Sequence, residues 1–191
     1  EFEKLLPDTL AWRKFLGNSE PYINYYFRHP AYAQYPVSCV TKAQAEAFCV
    51  FLTELFNEMF AKDPNCSHQR VLVRLPTKEE FTYAAIGGLS LYNEYPWEGK
   101  EVFHTSGKWQ GDARACFLKT NEAFGGVSGG KGDNTDVFAP VKSYWPNGYG
   151  LYNMSGNAAE LVADDLIAMG GSFRDPHDQI VQGDGAFDRA R

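Results

Sequence analysis

From Gly87 to Trp145 the chain runs on without a sustained 3.6- or 2.0-residue period, and the stretch contains the run Gly125-Gly126-Val127-Ser128-Gly129-Gly130-Lys131-Gly132. Apolar periodicity is what commits a segment to a helical or strand face. An irregular segment of this length in a compact domain is characteristically functional or pinned by a ligand or metal. The fold must therefore be rich in ordered loops, with its regular elements elsewhere. The glycine run is not a phosphate loop: no Lys-Ser/Thr pair closes it, no apolar strand leads into it and no helical pattern follows.

Two helices are legible. Thr41 with Gln44 fits a capping box, and Ala45, Phe48, Cys49, Leu52, Phe56 and Met59 recur at three and four residues until Asp63-Pro64-Asn65 ends the pattern. A buried apolar stripe is expected there, with Cys49 a buried thiol on it. After the short apolar run Val71-Leu72-Val73, Thr77 with Glu80 forms a second box and opens a shorter helix over Phe81 to Ala85. Residues 1–36 are crowded with tyrosines and show no period, which predicts an aromatic-packed loop region.

The 191 residues, 44% of them hydrophobic, suffice for one core, so residues 1–191 read as a single domain, and the abrupt ends suit a piece of a longer chain. Eighteen basic against 24 acidic residues, with no Lys/Arg cluster, speak against nucleic acid as a partner. No stretch approaches the roughly 20 apolar residues that span a bilayer. Cys39, Cys49, Cys66 and Cys116 form no CxxC pair and His29, His68, His104 and His177 stand singly, so a zinc site is not expected. Four cysteines allow three pairings or none.

Four blocks, in order, resemble the formylglycine-generating-enzyme (sulfatase-modifying factor) superfamily. They are Tyr35-Pro36-Val37 leading to the Thr41 helix, Arg74-Leu75-Pro76-Thr77 through Ala85 with Tyr95-Pro96-Trp97, Pro140-Val141 with Pro146-Asn147-Gly148-Tyr149-Gly150-Leu151-Tyr152-Asn153-Met154-Ser155-Gly156-Asn157-Ala158-Ala159-Glu160, and Gly170-Gly171-Ser172-Phe173. The resemblance implies an α+β domain with the C-type-lectin-like fold of that family's variant, loop-rich and with two main helices. Phe81, Ala159, Leu161 and Phe173 stand where the family usually has Trp. In the oxidase members a cysteine pair after the Gly-Gly-Ser block holds copper, whereas Phe173 to Arg191 contains no cysteine. No other side chain supplies the soft thiolate ligand and reactive group, so no copper is expected and the catalytic residues are none. The superfamily's iron branch, which uses three histidines, is equally unsupported.

Within the superfamily, Pro7-Asp8-Thr9-Leu10-Ala11-Trp12, Phe27-Arg28-His29-Pro30-Ala31-Tyr32 and Gly107-Lys108-Trp109-Gln110-Gly111 look like the K- and J-type gliding-motility lipoproteins of type IX secretion. That likeness implies a periplasm-facing outer-membrane lipoprotein, touching the membrane only through a lipid anchor outside this segment, with envelope proteins of a secretion or motility complex as partners. The expected function is a non-catalytic scaffold. The alternatives are a ligand-binding receptor-type domain and, disfavoured, a formylglycine-generating oxidase. The resemblance also implies Ca²⁺ at Asn153, Met154, Gly156 and Ala158, with a second site drawing on Asn121 and Asp133; hard oxygen ligands suit that ion. Tyr22, Tyr25, Tyr26 and Tyr32 are candidate partner-binding residues, since tyrosine offers broad, stiff contact area.

Overall fold

Both capping boxes form. The computed structural model describes residues 5–14, 16–66, 69–118, 137–164, 167–182 and 187–188. Its α-helices are α1 (Glu20–Tyr25), α2 (Lys42–Lys62) and α3 (Lys78–Ile86). Thr41 N donates to Gln44 Oε1 at 2.7 Å and Thr77 N to Glu80 Oε2 at 2.8 Å, each returned by the threonine oxygen accepting from the third helical N–H. These bonds satisfy donors that a helix start leaves orphaned. Arg74 adds a two-pronged contact to the Glu80 carboxylate, 2.7 and 2.6 Å, which together with the Thr77 N–H holds that carboxyl down to about 2. Helix α3 stops at Gly87, which has φ 63° and where a Cβ would meet the Asn147 side chain at 2.7 Å.

A small antiparallel sheet, β1 (Glu160–Leu161), β2 (Ile167–Met169) and β3 (Phe187–Asp188), pairs in sequence order. Glu160 lies opposite Met169 and Ala168 opposite Phe187. The end of β1 organises both long helices. Lys42 Nζ donates to the Ala163 and Asp164 carbonyls at 2.6 and 2.9 Å, and the Asp164 carboxylate accepts from Lys78 N at 2.6 Å.

Three apolar clusters make up the described core. One gathers Tyr95, Val102, Phe117 and Ile180; another joins Phe81 and Ala85 of α3 to Val162 and Met169; the third surrounds Trp12, Tyr26 and Val137. Two expectations need correcting. Residues 1–36 are not only loop: Thr9–Lys14 and Pro30–Tyr32 are 3₁₀ turns that flank α1 and feed the Trp12 cluster. The α2 stripe is not buried either, because no residue of α2 is, and Phe48 and Met59 are 57% and 55% exposed. Polar side chains hold α2 in place instead, with Thr53 and Asn57 bonded to the main chain of Val73 and Val71.

The loops are joined by amide side chains. Asn147, at the tight turn before Leu151, donates to the Ala84 and Ala85 carbonyls at 2.7 and 3.0 Å and accepts from Tyr149 N and Leu151 N. That one side chain closes both the turn and the end of α3. Asn157 is buried at φ 65°; its Oδ1 accepts from Ala139 N at 2.8 Å and its Nδ2 donates to Ala139 O at 3.2 Å. Its own main chain bonds Cys116 O and Phe173 N. Asn157→Ala is expected to lower stability by about 3 kcal/mol, because two buried bonds go and the Ala139 peptide groups lose their partners. Asn157→Gly tolerates the positive φ and should cost about 1 kcal/mol less. Urea midpoints at unchanged slope measure both, and equal losses would remove backbone strain from the account.

Candidate functional site

The block from Asn153 to Glu160 lies between the clusters, and its backbone is unusual. Asn153 has φ 54° and Gly156 φ 73°. Gly156 is required: a Cβ there would strike the Cys116 carbonyl, and Gly156 N donates to Gly170 O at 2.8 Å. Asn153 Nδ2 donates to the Val141 and Pro140 carbonyls at 2.9 and 3.3 Å, which fixes the amide and leaves its Oδ1 buried with no hydrogen-bond partner. The Met154 carbonyl accepts from Gln182 Nε2 at 2.6 Å, while its side chain packs on the Phe81 cluster. Ala158 follows, half-buried. Asn121 and Asp133 lie outside the described residues.

Glu160 completes this neighbourhood. The residue is partly exposed, but its Oε2 is buried and unpartnered. Desolvation pushes the carboxyl well above its ordinary value of 4.5. A Cβ on Gly170 would come within 2.8 Å of that Oε2 and 3.0 Å of Met154 O, so both oxygens crowd one α-carbon. Glu160 Oε2 and the Met154 carbonyl thus lie side by side at Gly170, and Asn153 Oδ1 is a second orphaned oxygen of the same block. Asn157, by contrast, is committed to Ala139 and offers no free ligand atom from its side chain.

Beside the block a cavity of ≈ 10 Å³, room for about one water, is lined by Trp97, Arg114, Trp145 and Asn153. Arg114 places its guanidinium 5.9 Å from the Trp97 ring, with its Nε buried and unpartnered. His104 packs edge-on to Trp145 at 4.2 Å, and burial, then Arg114, lower its pKa. Sequence reasoning set His104 aside as a lone histidine and missed Arg114, which stands singly in the aperiodic stretch. It quoted Glu160 in the block without singling it out, since nothing local reveals that the carboxyl lacks a partner.

The four candidate tyrosines separate. Tyr26 is 5% exposed, donates from its hydroxyl to Pro36 O at 2.7 Å, and burial pushes its phenol up. It belongs to the core. Tyr22 stacks on Trp12 at 5.1 Å and Tyr32 leans on Tyr26 at 5.1 Å, both half-buried. Tyr25 is 56% exposed, edge-on to His29.

Residues 10–189 match the family described as sulfatase-modifying factor enzyme 1-like domain. The chain belongs to that family. Among its relatives is the formylglycine-generating enzyme of Bos taurus, 39% identical over 94 residues, 48% of this chain and 22% of the relative. Another is the inactive C-alpha-formylglycine-generating enzyme 2 of Mus musculus, 35% identical over 102 residues, 53% of this chain and 29% of the relative. The matches thus span about a quarter of those relatives' lengths. Among solved structures, PvdO from Pseudomonas aeruginosa superposes with a TM-score of 0.54 at 17% identity, covering 78% of this chain and 54% of that one. That likeness concerns the family fold, a mixed arrangement of helices and a small sheet.

The Glu160 carboxyl makes a prediction with a definite sign. Its folded pKa is raised, so its favourable contribution is complete below the unfolded value of 4.5 and is lost as pH rises through the folded value. In the absence of divalent cations, Glu160→Gln is expected to melt above the parent protein at pH 7.5, with the gap closing towards pH 4. A gap that is absent or reversed at pH 7.5 would show that the carboxyl is paired after all.

Proposed function

We propose that this domain is a non-catalytic member of its family that works by holding partners. The observation carrying the reading is the use made of the segment after Gly170-Gly171-Ser172. It contains no cysteine, and among the described residues Asp175, Ile180 and Gln182 are spent on structure. The Asp175 carboxylate accepts from Ser172 N and Ser172 Oγ, both at 2.8 Å; Ile180 is wholly buried; the Gln182 amide grips Met154 O and Ser155 Oγ at 2.6 and 2.7 Å. All four cysteines are free thiols, and buried Cys116 directs its Sγ to Val137 O at 3.3 Å. Oxidation by thiolate chemistry needs an accessible low-pKa thiol, and burial raises the pKa of Cys39. The relative named as an inactive formylglycine-generating enzyme gives the same reading a precedent.

The finer reading is a C-type-lectin-like fold serving as a scaffold in a gliding-motility or type IX secretion complex, carried at the periplasmic face by a lipid anchor. The N-terminal blocks that look like K- and J-type lipoproteins support it, and envelope proteins are then the partners. A second reading, a receptor-type binding domain, is favoured by one feature. An open groove of ≈ 480 Å³ runs along residues 26–37, with Phe27, Arg28, Tyr32, Tyr35 and Val37 in its wall. Exposed Tyr25 is the member of the tyrosine set suited to partner contact. Calcium fits the Asn153 block: Asn153 Oδ1, the Glu160 carboxylate and the carbonyls of Met154, Gly156 and Ala158 would hold it. The ion would neutralise the buried carboxylate and tie the turn to β1.

Incubated with a cysteine-containing sulfatase peptide and copper, the protein is expected to leave the thiol intact by mass spectrometry; appearance of the aldehyde product would overturn the reading. Affinity capture of the full-length protein from its own membranes should co-purify envelope proteins. Ca²⁺ at a hundred times its Kd is expected to add about 2.7 kcal/mol of stability. EGTA should reverse the gain and Glu160→Gln should abolish it. Identical melts with and without Ca²⁺, starting from metal-free protein, would leave the block a turn only.

A further inference from the structure

The groove along residues 26–37 is walled by rings set on edge to one another. Buried Tyr26 is its floor, with Phe27 and Tyr35 T-shaped against it at 5.1 and 6.3 Å and Tyr32 T-shaped against Tyr35 at 5.3 Å. Its main-chain donors are already used. Arg28 N and His29 N both donate to Tyr25 O, Tyr32 N donates to His29 O, Ala33 N to Pro30 O and Tyr35 N to Tyr32 O. Ala31 N donates to His29 Nδ1 at 3.1 Å. An incoming strand would find no row of free N–H groups to pair with.

What the groove keeps free are side-chain donors. Among the described residues the Arg28 guanidinium and the Tyr32 and Tyr35 hydroxyls have no hydrogen bond or ion pair. Glu20, the acid nearest to Arg28 in the sequence, is paired with Arg13 at 2.9 Å. Because His29 Nδ1 accepts from Ala31 N, that ring carries its proton on Nε2 and adds a further donor. The described lining residues include no Asp, Glu, Asn or Gln.

The complement of such a surface is an apolar body that offers acceptors and few donors. Proline is that residue: its ring is apolar, it keeps its carbonyl and it has no N–H. A proline-rich chain in the polyproline II conformation makes no internal hydrogen bonds, so its carbonyls stay open, and it is stiff before it binds. A helix would bring carbonyls already spent on its own N–H groups. The unpaired cation at exposed Arg28 adds an anionic side chain to the description. A second copy of this chain does not fit, because no two of its ten prolines lie closer than six residues apart. We propose that the groove along residues 26–37 binds a proline-rich segment of another polypeptide, its rings against Phe27, Tyr32 and Tyr35, its carbonyls on the free hydroxyls and an acidic side chain on Arg28. This rests on the receptor-type reading above and names the partner's chemistry.

The test titrates the isotope-labelled protein with a capped synthetic peptide of prolines and leucines that ends in two aspartates, and follows amide resonances. Those of residues 27–37 should shift while those of α2 stay in place. Lysines in place of the aspartates should weaken binding about tenfold, and Arg28→Glu should reverse that preference. Tyr35→Phe keeps the ring and removes the donor, so it should weaken binding about tenfold at an unchanged melting temperature. Equal binding of a peptide with alanine at every proline position would overturn the proposal, as would equal binding of the aspartate and lysine peptides. A uronic-acid oligosaccharide serves as the contrasting ligand. If it shifts residues 27–37 and the peptide does not, the proline-rich partner is ruled out and the receptor-type reading stands; silence towards both rules out the partner and removes the groove from that reading as well.

Discussion

The two bonds that Asn157 exchanges with Ala139 are the contact on which the rest of the loop region depends. An irregular backbone cannot satisfy its own peptide groups, and each one left buried and unpaired costs about 1–3 kcal/mol. Here the missing ladder is supplied by side-chain amides. Asn157 serves Ala139, Asn147 serves the end of α3 and the turn at Leu151, Asn153 serves Val141, and Gln182 serves Met154. Each amide carries both a donor and an acceptor, so it can stand in for a strand where no strand runs. The positive φ of Asn153 and Asn157 belongs to the same device, since asparagine is among the few residues that enter that region at modest cost.

This explains what could be read in the sequence. A capping box is a local pattern, complete within four residues, and both helices begin where Thr41 and Thr77 place them. The partners of the amides were not legible: Asn157 reaches Ala139, Asn147 reaches Ala84, and Asn57 reaches Val71 across a loop. Nothing in the spacing of asparagines tells which main chain each will bind. The tyrosine cluster divides for a related reason, since local density of aromatics does not say which ring lies under the others. Tyr26 is enclosed by Trp12, Tyr32 and Phe138, while Tyr25, one residue away, is left outside on α1.

The candidate site follows from the same architecture. A loop region held by neutral amides has little use for a buried charge, so the Glu160 carboxyl stands apart from its surroundings. Its neighbours are Met154 O and the α-carbon of Gly170, neither of which donates a conventional hydrogen bond to it. Desolvation without a partner raises the cost of ionisation. Such a group is held protonated or meets a cation, and the calcium site proposed above takes the second course.

Helix α2 shows how far hydrogen bonding can replace burial in fixing an element. Its N-terminus is tied by Lys42 to Ala163 and Asp164, and its middle by Thr53 and Asn57 to Val73 and Val71. Phe48, Phe51, Leu55 and Met59 remain exposed along one flank at spacings of three and four. A side chain the size of Phe, about half exposed, leaves on the order of 100 Å² in contact with water. Four such residues in a row approach the few hundred Å² above which a contiguous apolar patch marks a surface that something covers. The periodicity that identified α2 as a helix was therefore a true signal of an apolar face. The direction of that face was what the pattern could not contain, because the polar residues between the phenylalanines had already claimed the side of α2 that meets the rest of the domain.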